Sequence, residues 1–293
     1  MQTTRLGNTG IEVSAIGFGA MRFSLEGRPP ESDAYRVLHL AMDLGVTLFD
    51  TADSYCLDET EKHHNERLLR KALDTYQGDT RHILIATKGG CMRPAGKWQI
   101  NGNPDYLRRV IRESHAALGG KDPIPLWQHH HIDPDYSIEA SLAPVQEAVR
   151  EGLIRFVGLS NYDLEGIKRA RDIVDIVSIQ NQYNPWHRWP EHNGVLEYCE
   201  KEGLTFLPWS PLGGGGRARH LSRHPGLASM AREKGVSPQR LVIAWLMARS
   251  PCVLPIPSSS RLTNTMNLLS GAEIEFSEMD IRHFDQLTLG TRG

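Results

Sequence analysis

Asp50, Tyr55, Lys88 and a histidine from the triplet His129-His130-His131 stand at or just beyond the ends of three short apolar runs, 47–50, 83–88 and 125–130. An acid, a phenol, an amine and an imidazole gathered in this way suit proton donation to a carbonyl oxygen. A free phenol has a pKa of about 10, so it holds its proton at neutral pH and gives it up reluctantly. A nearby ammonium stabilises the phenolate and lowers that pKa. A buried ammonium needs a counter-charge, which Asp50 can supply. An imidazole beside the phenol can orient the substrate oxygen, and the scheme needs no nucleophilic serine or cysteine. Taken singly, each residue has a plainer explanation, since a terminal aspartate often caps a helix and a terminal lysine is often solvated. Their convergence on neighbouring strand ends is what makes them a candidate site.

The elements that must position them alternate along the chain. Apolar runs at 15–20, 47–50, 83–88, 125–130, 156–159, 176–179, 205–208 and 253–256 read as strands covered on both faces. Amphipathic segments lie between them. Ser32 or Asp33 is a candidate cap for a helix carrying Val37, Leu40, Ala41 and Leu44 and ending at Gly45; Pro104-Asp105 opens another, stopped by Gly119-Gly120. Ser237-Pro238 is an N-cap followed by proline at the first helical position. Eight βα units of roughly 30 residues make the usual size of a closed (β/α)8 TIM barrel, whose active sites sit at the C-terminal ends of the strands. A doubly wound sheet would carry a glycine-rich turn after its first strand, and no GxGxxG is present. Residues 2–12, with Asn8-Thr9-Gly10 at their centre, suggest an N-terminal β-hairpin closing the barrel bottom, and 277–289 read as an extra C-terminal helix. With no repeat or linker, 1–293 reads as a single domain.

Composition narrows the function classes. Forty per cent hydrophobic and 23% charged residues are ordinary for a globular α/β chain, and a formal charge of −2 argues against a nucleic-acid partner. No run approaches the roughly 20 apolar residues of a membrane span, and residues 1–10 lack the apolar core of a secretory signal. Cys56, Cys91, Cys199 and Cys252 are scattered, as structural thiols in a reducing compartment are, so the cytoplasm is the default location.

The segments FDTADSY, ATKGG, LWQHHHIDP, VGLSNY and SIQNQYN, in this order, resemble the aldo-keto reductase superfamily, from RLGNTGIEVSAIGFGAM near the start to EIEFSEMD near the end. The resemblance implies a catalytic tetrad of Asp50, Tyr55, Lys88 and His130, the middle histidine of the triplet. It places Ser160, Asn161 and Gln180 on the carboxamide of a nicotinamide, and Trp209 stacked on its ring. Ser210, Leu212 and Gly213 fall in the segment that passes the pyrophosphate, where glycines up to Gly216 leave backbone NH groups free to approach. Read without the family, Gly213–Gly216 is simply a flexible loop. Ser258 and Ser259 match the site of the adenosine 2′-phosphate. Asn264 stands where the family leads one to expect arginine, and Asn267-Leu268 replaces a usual Glu-Asn pair; Arg261 can substitute as a bidentate phosphate partner. NADPH is the expected cofactor, with NADH the alternative. The implied activity is reversible reduction of an aldehyde or ketone, with Tyr55 as general acid. A sugar dehydrogenase, a pyridoxal reductase and a nucleotide-binding regulatory subunit are the alternatives, with a metal-dependent hydrolase a more distant one.

Remaining features are assigned by placement. Adjacent strand residues face opposite ways, so at most two of the histidine triplet share one side, and no metal site is expected. Trp98, Tyr183 and Trp186 are candidate walls of the substrate pocket, whereas Trp127, inside a strand, reads as barrel packing. The resemblance also makes Glu66 a candidate contact for the adenine end of the cofactor. Arg188, Arg217 and Arg219 could meet a polar substrate, although solvated surface is the commoner fate of such arginines. Family members with narrow substrate choice often carry a long loop after the last helix, so by the resemblance the short tail after Leu289 leads one to expect a more open pocket.

Overall fold

A computed structural model describes residues 1–289. Strands β1 (Thr3–Arg5) and β2 (Glu12–Ser14) pair antiparallel as the expected hairpin. The barrel then begins with β3 (Phe18–Gly19), α1 (Glu31–Asp43), β4 (Leu48–Asp50) and α2 (His64–Thr75). After β5 (Leu84–Gly89) a small hairpin intervenes, β6 (Cys91–Met92) and β7 (Gln99–Ile100), before α3 (Pro104–Ala117). The alternation continues through β8 (Ile124–His129), α4 (Ile138–Arg150), β9 (Ile154–Ser160), α5 (Leu164–Arg171) and β10 (Ile176–Gln180). Two helices, α6 (Trp189–His192) and α7 (Val195–Glu202), lead to β11 (Thr205–Phe206). Helices α8 (Gly214–Ala218), α9 (Pro225–Glu233), α10 (Pro238–Arg249), α11 (Leu262–Leu269) and α12 (Glu278–Thr288) complete the described chain.

Seven strands form one parallel sheet in the order β11-β10-β9-β8-β5-β4-β3. The eighth run closes it without a full ladder: Val253 bridges Phe206, and Gly17 and Gly19 donate their NH groups to the carbonyls of Pro255 and Pro257 at 2.9 Å each. Both prolines lack an NH, so the ladder on that edge runs on their carbonyls alone. The result is the (β/α)8 barrel expected from the sequence.

Two apolar clusters hold it. Leu48, Leu84, Leu126, Leu207 and Leu254 fill the barrel interior, sealed from below by Leu6 and Val13 of the N-terminal hairpin. A larger cluster, which includes Phe49, Ile85, Trp127 and Trp245, packs the outer faces of the strands against the helices. Side chains two apart share a strand face. The leucines inside therefore put Asp50, Lys88 and Gln128 inside as well, one layer nearer the C-terminal ends. Gly158 faces the same interior, where a Cβ would stand 2.3 Å from Ser178 Oγ, so the crowded layer leaves it no side chain.

Helix ends follow their chemistry with one shift. Asn103 and Ser237 cap α3 and α10, and Ser277 with Asp280 forms a capping box on α12. The expected cap of α1 at Ser32 or Asp33 is corrected: Pro30, held extended, is the N-cap, and Asp33 sits inside the first turn. The glycine-rich stretch read as a flexible loop instead forms α8, entered through Gly213 at φ 76°. No helix among the described residues is long and apolar enough to cross a membrane.

Candidate active site

The interior layer above the leucines is polar and tightly bonded. Lys88 Nζ, with no exposed surface, donates to Asp50 Oδ1 at 2.7 Å, to the carbonyl of Thr51 at 2.8 Å and to Tyr55 Oη at 3.1 Å. Three acceptors satisfy the three protons of an ammonium. Asp50 Oδ2 in turn accepts from Gln180 Nε2 at 2.7 Å and from Gln128 Nε2 at 3.3 Å. Burial alone would strip Lys88 of its charge, but the attraction of Asp50 and Tyr55 outweighs it and holds the pKa above the ordinary value. The same balance runs the other way at Tyr55. Burial raises its pKa above the ordinary phenol value although Lys88 pulls it down, so the expected net lowering is corrected. Tyr55 therefore keeps its proton at neutral pH.

His130 completes the set, edge-on to Tyr55 with ring centroids 6.0 Å apart. Burial, then Lys88, pushes its pKa well below the usual histidine range, so the ring is neutral at pH 7. The triplet divides at the end of β8, whose last residue is His129. His130 and His131 line the cavity, whereas His129 points outward and bonds Tyr162 Oη at 2.6 Å. Burial first, and His131 second, push His129 down from 6.5 to about 4. The folded protein holds it neutral while the unfolded chain protonates it. Its contribution is therefore complete above pH 6.5 and is lost as pH falls toward 4, up to about 3 kcal/mol. His129→Gln, which retains a hydrogen-bonding group toward Tyr162, is expected to flatten the loss of stability across that window. Urea midpoints at pH 7 and pH 5 check this, and an unchanged difference between them would refute it.

A cavity of about 590 Å³ opens above these groups. Asp50, Tyr55 and His130 form its floor, with Lys88 beneath; Ser160, Asn161, Gln180 and Trp209 form one side. Asn161, held at φ 60°, donates through Nδ2 to the His130 carbonyl at 3.0 Å and accepts through Oδ1 from Trp209 Nε1 at 3.0 Å. It therefore fixes the indole and the end of β8 together. Gln180 Nε2 has both protons engaged, one on Asp50 and one on Gln128 Oε1 at 3.2 Å, which leaves its oxygen to face a ligand. Ser210, Leu212 and Ser258 also line the cavity. Ser258 Oγ is buried with no partner among the described residues, and a Cβ on neighbouring Gly19 would lie 3.2 Å from the Ile256 carbonyl. An orphaned hydroxyl beside a glycine cradle fits a phosphate-bearing ligand.

Several expected site residues lie elsewhere. Gly213, Ser259, Arg261 and Asn264 are outside the cavity lining. Ser259 bonds the backbone of Arg261, while Arg261 and Asn264 stand exposed at the start of α11. Tyr183 is not a pocket wall: it is fully buried, with its hydroxyl on Glu191 and its ring between Phe206 and Trp245. Trp186 stacks under Arg217 at 4.5 Å, behind Gly213 rather than on the cavity. Glu66 is not a cofactor contact either, being buried and spent on Thr87 and His63. Arg188, neither solvated nor facing the cavity, pairs with Glu191 and Asp285 and ties α12 to the barrel. Trp98 does line the cavity, edge-on to Tyr55.

Sequence reasoning missed Gln128, although its position two residues before His130 on one strand was the available signal. Cys91 reaches the cavity, but burial pushes its thiol up to about 12, so it stays protonated.

The family model described as "Aldo/keto reductase family" matches residues 15–288. An uncharacterized oxidoreductase of Schizosaccharomyces pombe is 35% identical over 291 residues, spanning 97% of this chain and 89% of its own length. A probable aldo-keto reductase of Glycine max is 29% identical over 99% of this chain and 90% of its own. Among solved structures, a thermostable aldo-keto reductase in complex with the inhibitor epalrestat superposes with a TM-score of 0.81 at 29% identity, covering 98% of this chain and all of that one.

Proposed function

The chain belongs to the aldo/keto reductase family of oxidoreductases, and on that premise we propose that it reduces an aldehyde or ketone to the alcohol with NADPH, Tyr55 serving as general acid. The observation that carries this reading is the single ammonium shared by Asp50, the Thr51 carbonyl and Tyr55 Oη inside the cavity floor. A bound dihydronicotinamide supplies hydride to the carbonyl carbon. The protein's own groups manage the oxygen. Neutral His130 donates a hydrogen bond that orients it, and Tyr55 Oη gives it the proton as charge builds there. Lys88 stabilises the phenolate left behind, and Asp50 holds Lys88 in place and charged. Cofactor contacts would fall to Trp209 against the nicotinamide ring, to Ser160, Asn161 and the oxygen of Gln180 at its carboxamide, and to Ser210, Leu212 and Ser258 along the phosphates. The presence of all four tetrad residues, with Lys88 bonded to both Asp50 and Tyr55, favours turnover over a purely nucleotide-binding role.

The test follows loss of NADPH absorbance, and separately of NADH, across a panel of aliphatic, aromatic and sugar aldehydes. Oxidation of either cofactor that depends on the aldehyde supports the reading, and nucleotide binding without turnover on the whole panel would turn it toward a regulatory subunit. Cofactor choice rests on the start of α11, where Arg261, exposed and with Ser259 beneath its backbone, is the cation available to a 2′-phosphate. Arg261→Ala is expected to weaken NADPH by about tenfold, the typical worth of a charge-assisted hydrogen bond, and NADH hardly at all. Equal losses measured by fluorescence titration would remove Arg261 from that role, and with it the case for NADPH over NADH.

A further inference from the structure

One wall of the cavity is built unlike the others. The hairpin of β6 and β7 carries Trp98, Gln99 and Ile100 to the cavity edge. Trp98 is 49% exposed, yet its ring is not loose. Its edge faces Tyr55 and His130, each with centroids 6.3 Å away and planes at 89° and 74°. The guanidinium of Arg93 lies over its ring, 4.6 Å from the centroid.

Arg93 is the fixed point in this arrangement. Its side chain is only 3% exposed, and Nη2 pairs with Glu26 Oε1 at 2.6 Å. Its backbone NH donates to the carboxylate of Glu59, in the same loop that carries Tyr55. The turn beyond it is drawn in close: Ala95 and Gly96 have positive φ, and a Cβ on Gly96 would lie 3.3 Å from the Leu57 carbonyl. A charged guanidinium buried to this degree needs its carboxylate partner, and the indole covers its flat side. With one region of the ring held by Arg93 and its edge by the catalytic rings, the exposed surface of Trp98 is presented to the cavity in one orientation. Ile100, Met21, Leu212 and Ala218 make the surrounding lining largely apolar, and Asp50, the carboxylate of that lining, is committed to Lys88.

We infer that Arg93 is a positioning residue that holds Trp98 as a rigid aromatic wall, so that the site selects carbonyl compounds with a flat aromatic body over small aliphatic ones. The inference rests on the reductase reading and names its substrate class. Stacking on a ring already held against Arg93 favours a planar substrate at a reduced cost in ordering.

The test compares kcat/KM for benzaldehyde and propanal in the wild type, Arg93→Met, Arg93→Lys and Trp98→Ala, with benzaldehyde binding followed by calorimetry. In Arg93→Met the benzaldehyde-to-propanal ratio is expected to fall by about fivefold to tenfold, through KM for benzaldehyde. Arg93→Lys, which keeps the cation but not the flat face that the indole covers, is expected to lower the ratio only part of the way. Adding Arg93→Met to Trp98→Ala changes it no further, as two residues acting through one contact require. Equal losses on both aldehydes, or an effect of Arg93→Met that persists without Trp98, would overturn the inference. Binding separates the two readings. Arg93-dependent benzaldehyde binding without cofactor oxidation would sink the reductase reading and keep this wall, whereas turnover of both aldehydes with no preference would do the reverse.

Discussion

Replacing Tyr55 by Phe is expected to lower kcat/KM for carbonyl reduction by about 10²–10⁴-fold, the range supplied by a positioned general acid, with NADPH affinity unchanged. The phenol ring is almost wholly buried between Lys88, His130 and Trp98, so the substitution removes one oxygen and little packing. The oxygen's partner keeps its other two bonds, to Asp50 and to the Thr51 carbonyl, so the ammonium remains held. Loss of rate with retained nucleotide binding is thus the signature of missing proton transfer. The pH dependence of the parent should agree. Burial holds the phenol's pKa above its ordinary value, so reduction should not decline through ionisation of Tyr55 anywhere below about pH 10. Comparable rates in mutant and parent would remove Tyr55 from the mechanism.

How legible this site was in the sequence depends on how local its determinants are. Asp50, Lys88 and His130 end or follow strands whose inward faces are set by apolar alternation, and Leu48, Leu84 and Leu126 in the barrel interior mark that face directly. Placement at strand ends and the family segments therefore led to the same residues. Strand 253–256 was legible as an apolar run, but its incomplete ladder follows from Pro255 and Pro257 meeting β3 across the closure, a contact between distant segments. Tyr183 and Trp186 follow β10 in the chain as pocket residues would. Their fate was decided by partners far away in sequence: Trp245 and Phe206 for the phenol ring, Arg217 for the indole. Glu66 was read as a cofactor contact because it falls where the family holds the adenine end. The hydroxyl and imidazole that satisfy it, Thr87 and His63, become visible only when α2 packs on β5. The net direction of the Tyr55 shift was missed for a related reason. The neighbouring charge could be read from residue types, whereas the desolvation that outweighs it depends on how completely the loop closes.

Lys88→Met tests the other half of the site, and it should cost stability as well as activity. Lys88 is completely buried and its ammonium neutralises Asp50 at 2.7 Å. Removing one member of a buried pair leaves an uncompensated charge and costs about 3–5 kcal/mol, more than the pair itself is worth against apolar replacements. The variant should therefore melt well below the parent, by roughly 6–15 °C for a domain of this size. It should also lose reductase activity, since nothing then stabilises the phenolate of Tyr55. The two effects separate in the double variant Asp50→Asn with Lys88→Met. There the orphaned carboxylate is gone, while the asparagine oxygen can still accept from Gln128 and Gln180, which bond Asp50 Oδ2 in the parent. Much of the stability should return while the activity stays lost. Calorimetry and aldehyde-dependent NADPH oxidation on the same three proteins read this out. Recovery of activity together with stability would mean that Lys88 serves only to neutralise Asp50, and that Tyr55 gives up its proton without help from the ammonium 3.1 Å away.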